Sequence, residues 1–275
     1  MRVENSSVII WHDGEPMLWR AGAISAEAIT ADTVYPESAI VGLPSDAVRT
    51  TAIDVTPQER KHLAKSLPFM MEEQVAEDVD DLHFVSAPLT DEHFLVAFTR
   101  RDNLSSWIEQ LSQAESLKLF APEALCLPRE RGECCAVVEG DSVVLRWSDS
   151  EGARVDLSLL SVVLDSLMER PEKIVMYGTD QAAVVAHLSD EQQALVDWRQ
   201  GGWGALLLLA DTRPSLNLRQ GAFAPALPLM KWWGLWRTVA VAACVAITLQ
   251  LAADLGQFKK LKSHNLELRS AIQQT

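Results

Sequence analysis

Sixteen consecutive uncharged residues, Thr238 to Ala253, constrain this 275-residue chain more than any other feature. As a helix at about 1.5 Å per residue they reach about 24 Å, slightly short of a hydrocarbon core of about 30 Å. The preceding flank extends the run. Gly234, Leu235 and Trp236 lead into Arg237, whose long side chain can snorkel to the headgroups. Trp232, Trp233 and Trp236 form an aromatic belt beside Arg237, and these four are the expected membrane-interface residues. A buried core helix is the alternative, and the tryptophans and basic flank speak against it. Residues 234–254 are read as a transmembrane helix.

Charge divides the chain at the same place. Residues 1–230 carry 18 basic and 36 acidic groups, while residues 231–275 carry six basic and two acidic ones. A nucleic-acid binder needs a basic face, so nucleic acid is not an expected partner, whereas membrane lipid is. Basic residues flank the apolar run on both sides in nearly equal number, so they do not orient it. The opening MRVENSSVIIWHDGEP has no basic stretch followed by an apolar one, so no signal peptide is expected. That places the N-terminus and residues 1–237 in the cytoplasm and residues 255–275 on the far side. Cys126, Cys134, Cys135 and Cys244 include no CxxC pair and read as small buried apolar residues.

Along residues 1–230, strand and helix signals interleave. Ser7–Trp11 and Met17–Trp19 flank Asp13-Gly14, a hairpin signal. Short strands are expected at 39–41 and 51–55. Thr56-Pro57-Gln58-Glu59 is a capping box with proline at the first helical position, and Pro68 should end or kink the helix it opens. Met70 to Val79 reads as a second helix. Leu82–Ala87 and His93–Phe98 form a hairpin, Asp102 caps a helix, and Cys134–Val138 with Val143–Trp147 form another hairpin. Helices are expected over 155–168, 180–187 and 190–199, and a strand over 173–177. This is an α/β (mixed α+β) pattern, with two lobes expected at about 1–100 and 101–230. Beyond the span, Leu255, Phe258, Leu261 and Leu268 look like the start of a coiled coil. The chain stops at Thr275 without a closing domain, so 255–275 is expected to be a periplasmic helical stub of a truncated chain.

No P-loop, HExxH, GxSxG or GxGxxG occurs, and no catalytic, cofactor-binding or metal-ligating set is assigned. His83 and His93, with Asp80, Asp81, Asp91 and Glu92 nearby, read as surface or rim residues before they read as metal ligands. Tyr177-Gly178-Thr179 reads as a strand-to-helix turn capped by Thr179 or Asp180. Glu72, Glu73, Glu77, Asp78, Asp80 and Asp81 put six negative charges within ten residues. They read either as a solvated acidic face or as a docking face for a cationic partner.

Leu67 to Phe84, LPFMMEEQVAEDVDDLHF, resembles the signature of the L protein family of the type II secretion system, an inner-membrane platform component. Asn217 to Phe223, NLRQGAF, is similar to that family's motif just before its single membrane helix. The resemblance implies an actin-like (RNase H-like) cytoplasmic region with subdomains, one transmembrane helix and a bacterial inner-membrane location. It implies an adaptor that recruits the system's cytoplasmic secretion ATPase (the E protein) and touches the M and C platform proteins. A homodimer is also expected. Family members continue into a small periplasmic ferredoxin-like domain. An actin-like fold raises ATP binding, but neither paired Asp-x-Gly phosphate turns nor a Gly-Gly adenosine loop is read here. A membrane-anchored actin-like ATPase and a bitopic sensor are the alternatives to a non-enzymatic scaffold.

Overall fold

The computed structural model describes residues 6–273 apart from 37, 129, 210–213 and 226–228. It divides into two units, Met1–Pro225 and Ala226–Thr275, each described by itself.

In the first unit, β1 (Ser7–His12) and β2 (Glu15–Arg20) form the expected hairpin. Asp13 and Gly14 supply the two positive φ angles, 50° and 83°, that a tight primed turn needs. β3 (Glu27–Ala28) pairs with β2, and β4 (Ile40–Leu43) lies parallel to β1. The chain then builds a separate antiparallel sheet from β5 (Arg49–Asp54), β6 (Leu82–Pro88) and β7 (His93–Arg100), in the order β5-β7-β6. Two helices, α1 (Pro57–Arg60) and α2 (Leu63–Met71), sit between β5 and β6. α3 (Arg101–Gln110) leads back to β8 (Leu119–Pro122), which runs parallel to β4 and completes a five-stranded sheet, β3-β2-β1-β4-β8.

A second five-stranded sheet follows. Its strands are β9 (Glu133–Glu139), β10 (Ser142–Arg146), β11 (Gly152–Asp156), β12 (Lys173–Gly178) and β13 (Val196–Gln200), in the order β11-β10-β9-β12-β13. Helices α4 (Leu160–Ser166), α5 (Gln181–Val185) and α6 (Asp190–Leu195) connect its later strands, and α7 (Trp203–Leu209) follows β13. Both sheets have the same plan. Each has a three-stranded antiparallel meander whose first strand is extended by two parallel ones, so each reads 3-2-1-4-5. This duplicated plan is the actin-like arrangement. The strands change over between Pro122 and Glu133, later than the expected break near residue 100, because β8 closes the first sheet.

β1 is buried on both faces, which is why no clean alternation marks it. Ile9 and Trp11 enter a core with Leu104, Trp107 and Phe120 of the first lobe. Val8 and Ile10 enter a second core that joins the two sheets through Val137, Val175 and Tyr177, with Trp203 and Leu206 of α7.

Several local expectations fail for identifiable reasons. The helical run breaks at Lys61 and His62, and α2 passes through Pro68. Leu63, Leu67 and Met71, four apart, hold it against the small sheet through one buried stripe. The helix expected from Met70 to Val79 ends at Met71. α3 is preceded by Arg100, and Asp102 sits in its first turn instead of capping it. β8 and β13 replace a loop and the end of a helix. Each joins its sheet in parallel, where burial and neighbours override local propensity.

The second unit is one unbroken helix, α8 (Leu229–Gln273), about 68 Å long at 1.5 Å per residue. Trp236–Lys262, 27 residues, is long and apolar enough to cross a membrane. The expected span and the expected coil therefore form one continuous helix.

Candidate functional site: an acidic face, a motif clamp and an apolar helix

Glu72, Glu73, Glu77, Asp78, Asp80 and Asp81 are all exposed. None makes an ion pair with a base among the described residues. Glu72 caps the C-terminus of α2, and the Gln74 amide closes a turn onto the Met71 carbonyl at 2.8 Å. Asp78 then accepts the Asp80 amide at 3.0 Å and starts a single 3₁₀ turn, Val79–Asp81, that feeds β6. A continuous helix would stack these acids three and four apart, where like charges repel. The observed turns spread them instead. Phe69 is 74% exposed on α2 beside them.

The Asn217–Phe223 motif before α8 has a definite mechanical job. The Leu218 amide donates to the Phe120 carbonyl of the edge strand β8 at 2.7 Å. The Asn217 side chain accepts the Phe120 and Arg219 amides at 3.0 and 2.9 Å and donates to the Lys118 carbonyl at 2.9 Å. Arg219 is buried. Its Nη1 donates to the Ala114 carbonyl and, at 2.7 Å, to the Leu117 carbonyl, and its guanidinium lies 4.9 Å from the Phe120 ring centre. His83 Nε2 meets the Leu218 carbonyl at 2.8 Å, and Phe223 packs edge-on to the His83 ring. Burial pushes His83 below its ordinary value, against the pull of that carbonyl, and the charge of Arg101 adds to the lowering. The segment is a strap tied to one edge of the first sheet. Sequence reasoning located it through family resemblance, but nothing in its spacing announces these partners.

A third group was missed. Glu123, fully buried after β8, accepts Arg154 Nε at 2.7 Å and Nη2 at 2.6 Å from β11 of the other sheet. It also accepts the Ser45 amide at 3.0 Å. Arg154 reaches Glu139 at 3.4 Å, Ser142 at 3.1 Å and the Trp11 carbonyl at 3.4 Å. Burial raises both carboxyls, while the Arg154 hydrogen bonds and charge pull them back. Burial alone would lower the Arg154 guanidinium, but its bonds to Glu123 and the carboxylate charges outweigh that and hold it cationic. The group links the ends of the two sheets near the equivalent β1–β2 and β9–β10 hairpins.

The remaining candidates separate. His83 pairs across β6–β7 with Thr99, and His93 pairs with Asp54 of β5, its Nδ1 at 2.5 Å from that carboxylate. Among the described residues no group of three metal-binding side chains forms. Asp180, not Thr179, caps α5, accepting the Ala183 amide at 3.1 Å. One sequence reading needs correction, because Gly201-Gly202 does follow a strand. The turn is closed by packing: the Gly204 carbonyl accepts the Gly22 amide at 2.7 Å, and a Cβ at Gly204 would strike the Ala23 carbonyl. Cys126, Cys134 and Cys135 are buried, and burial pushes the Cys126 and Cys135 thiols up to about 12. Cys244 is exposed on α8, contrary to expectation. Trp236 and Arg237 stand exposed at the start of the apolar stretch; the Trp232 and Trp233 side chains lie outside the described residues.

The family model described as type II secretion system (T2SS), protein L, matches residues 3–226. A type II secretion system protein L from Vibrio cholerae is 24% identical over 90% of this chain and 62% of its own length. One from Dickeya chrysanthemi is 28% identical over 84% of this chain and 55% of its own length. The chain thus spans about three-fifths of the length of these relatives. Among solved structures, the cytoplasmic domain of EpsL, an inner-membrane component of the type II secretion system of Vibrio cholerae, matches with a TM-score of 0.58. The match has 20% identity and covers 79% of this chain and 99% of that domain, so it speaks to the fold of the first unit.

Proposed function

Because the chain belongs to the type II secretion system protein L family, we propose that it is a single-pass inner-membrane scaffold that holds the secretion ATPase at the membrane. One observation carries this reading: a family match over residues 3–226 ends where a helix able to cross a membrane begins. In this reading the folded unit is cytoplasmic, α8 crosses the membrane, and Trp232, Trp233, Trp236 and Arg237 sit at its cytoplasmic interface. The M and C platform proteins and a second copy of the chain are further partners.

The scaffold acts by tethering and catalyses nothing. A nucleotide between two actin-like lobes needs donors for its phosphates near the paired hairpins. Here that region holds two carboxylates, and Arg154 is already bound in a bidentate pair by Glu123. A phosphate would have to displace Glu123 and face Glu139. The exposed acids from Glu72 to Asp81 serve as the docking face for a cationic surface of the ATPase.

The test is flotation. Membrane vesicles carrying the full chain should retain purified secretion ATPase, and vesicles without it should not. ATPase that stays soluble in both cases overturns the reading. A reporter fused after Thr275 should be active only on the periplasmic side, and one inserted within residues 1–225 only in the cytoplasm.

A further inference from the structure

The chain leaves β8 for the second lobe through Glu123–Cys126, a single 3₁₀ turn whose four residues are all buried. Two glycines make room for it. A Cβ on Gly42 of β4 would lie 3.2 Å from the Glu123 Cβ and 2.5 Å from Ile10 Cδ1. One on Gly152 of β11 would lie 2.6 Å from the Ala124 Cβ and 2.5 Å from the Leu145 carbonyl oxygen. The turn is therefore wedged between a strand of each sheet. Hydrogen bonds hold it from both sides. The Ala124 amide donates to Ser45 Oγ at 3.0 Å, and Arg146 Nη1 donates to the Leu125 and Leu127 carbonyls at 3.0 and 2.7 Å. This seating fixes the point from which the Glu123 side chain leaves the backbone.

That side chain ends on three donors. Arg154 offers Nε and Nη2 as a fork at 2.7 and 2.6 Å, and the Ser45 amide adds a third at 3.0 Å. A guanidinium fork and a backbone amide converging on one group make an oxyanion site. The donors come from both lobes, since Ser45 follows β4 and Arg154 stands on β11. The same guanidinium reaches the Trp11 carbonyl beside the β1–β2 turn and Ser142 beside the β9–β10 turn. Filling the site therefore also ties the two hairpins, in the region where a bound phosphate would meet the lobes.

We propose that Glu123 is a built-in ligand: its carboxylate fills an oxyanion site formed by Arg154 and the Ser45 amide, and it closes the lobes on each other with no diffusible anion. Glu139 sets what the site can accept. Its side chain is 8% exposed and lies 3.4 Å from Arg154 Nη2, so its charge favours a monocarboxylate over a phosphate dianion. The proposal is independent of the ATPase contact and of the membrane helix.

The experiment empties the site and refills it, using the full chain in detergent. Glu123→Ala deletes an acetate-sized fragment and leaves the three donors. Acetate should restore what is lost. With chloride holding the ionic strength constant, the thermal midpoint by tryptophan fluorescence should rise saturably by about 5 °C up to about 0.2 M acetate. If the variant does not fold alone, acetate should be required for its refolding. Glu123→Gln keeps the volume and closes the site, so neither it nor the wild type should respond. Phosphate should rescue Glu123→Ala less than acetate does, and adding Glu139→Gln should narrow that gap. Absence of rescue by acetate beyond chloride overturns the proposal. So does an equal rise in Glu123→Gln or in the wild type, which would be a general salt effect. A wild-type midpoint raised by magnesium ATP above matched magnesium chloride also overturns it, because the cleft would then take phosphate with Glu123 in place. Phosphate rescue equal to that of acetate overturns the role given to Glu139.

Discussion

Glu123 and Glu139 lie buried around Arg154, whereas the six acids from Glu72 to Asp81 stand in solvent with no ion-pair partner among the described residues. The two sets share a chemistry and differ in what water does for them. A buried carboxylate keeps its charge only where donors replace its hydration, and Glu123 has three: two from Arg154 and one from the Ser45 amide. An exposed carboxylate is solvated wherever the backbone puts it, so its position is free to serve contacts outside the molecule. Density of charge along the sequence thus marks the group available to a partner. The group that holds the lobes together is scattered over residues 123, 139 and 154.

The largest expected effect breaks the buried set. Glu123→Ala strips the buried Arg154 guanidinium of its bidentate partner, leaving it only the longer contact to Glu139 at 3.4 Å, and should destabilise the protein by about 3–5 kcal/mol. Urea unfolding of the full chain in detergent, followed by tryptophan fluorescence, measures it. Glu123→Leu combined with Arg154→Met and Glu139→Leu should cost far less than Glu123→Ala, because hydrophobic replacement of a whole buried ionic group is often neutral. Additive losses would mean that the pair contributes more than mutual compensation.

Next comes the strap. Arg219→Ala removes two hydrogen bonds to the Ala114 and Leu117 carbonyls and the stacking on Phe120. A loss of about 2–3 kcal/mol is expected for charged donors to buried acceptors. Glu72→Lys in the same assay should be nearly silent, which sharpens the contrast between partnered and unpartnered charge.

How much of this could be read beforehand follows from the range of each interaction. The β1–β2 and β9–β10 hairpins were legible because two-residue turns demand Asp13-Gly14 and Gly140-Asp141 locally. The capping box at Thr56 was legible for the same reason: its bonds span three residues, with the Thr56 amide donating to Glu59 at 2.9 Å. β8 and β13 were not, since their neighbours β4 and β12 lie far away in the chain and supply the burial that makes them strands. Of the candidate site, the acidic run and the apolar helix showed as composition. Glu123 and Arg154, 31 residues apart, became visible as a pair only in the fold. Phe69 reads as core by type and stands outside because the stripe of α2 falls on Leu63, Leu67 and Met71.

A smaller effect is expected from pH. His83 is buried against the strap, and burial holds it neutral below its ordinary value of 6.5. The unfolded chain takes up a proton as pH falls through that value, and the folded protein does so only at lower pH. Stability contributed by neutral His83 is therefore present above the unfolded value and lost as pH falls through it. His83→Gln keeps a donor toward the Leu218 carbonyl without titrating. It should flatten the pH dependence of unfolding between neutrality and mild acid.

The smallest effect on stability should come from the acidic face itself, and there the readout moves to binding. Reversing Glu72, Glu73 and Glu77 to Lys touches three exposed side chains and leaves the stripe of α2 in place. Each change should fall within about 0.5 kcal/mol in unfolding, the range of ordinary surface substitutions. If these acids meet a cationic surface of the secretion ATPase, the folded variant should float less ATPase with vesicles than the wild type. Wild-type binding should itself weaken as salt rises, since exposed charges are screened over about 10 Å at 0.1 M. Phe69→Ala tests the apolar part of the same face: it should weaken binding without changing the salt slope, because it removes contact area and no charge. A folded triple variant with unchanged affinity and salt slope would return the six acids to solvation alone and move the contact elsewhere on the folded unit.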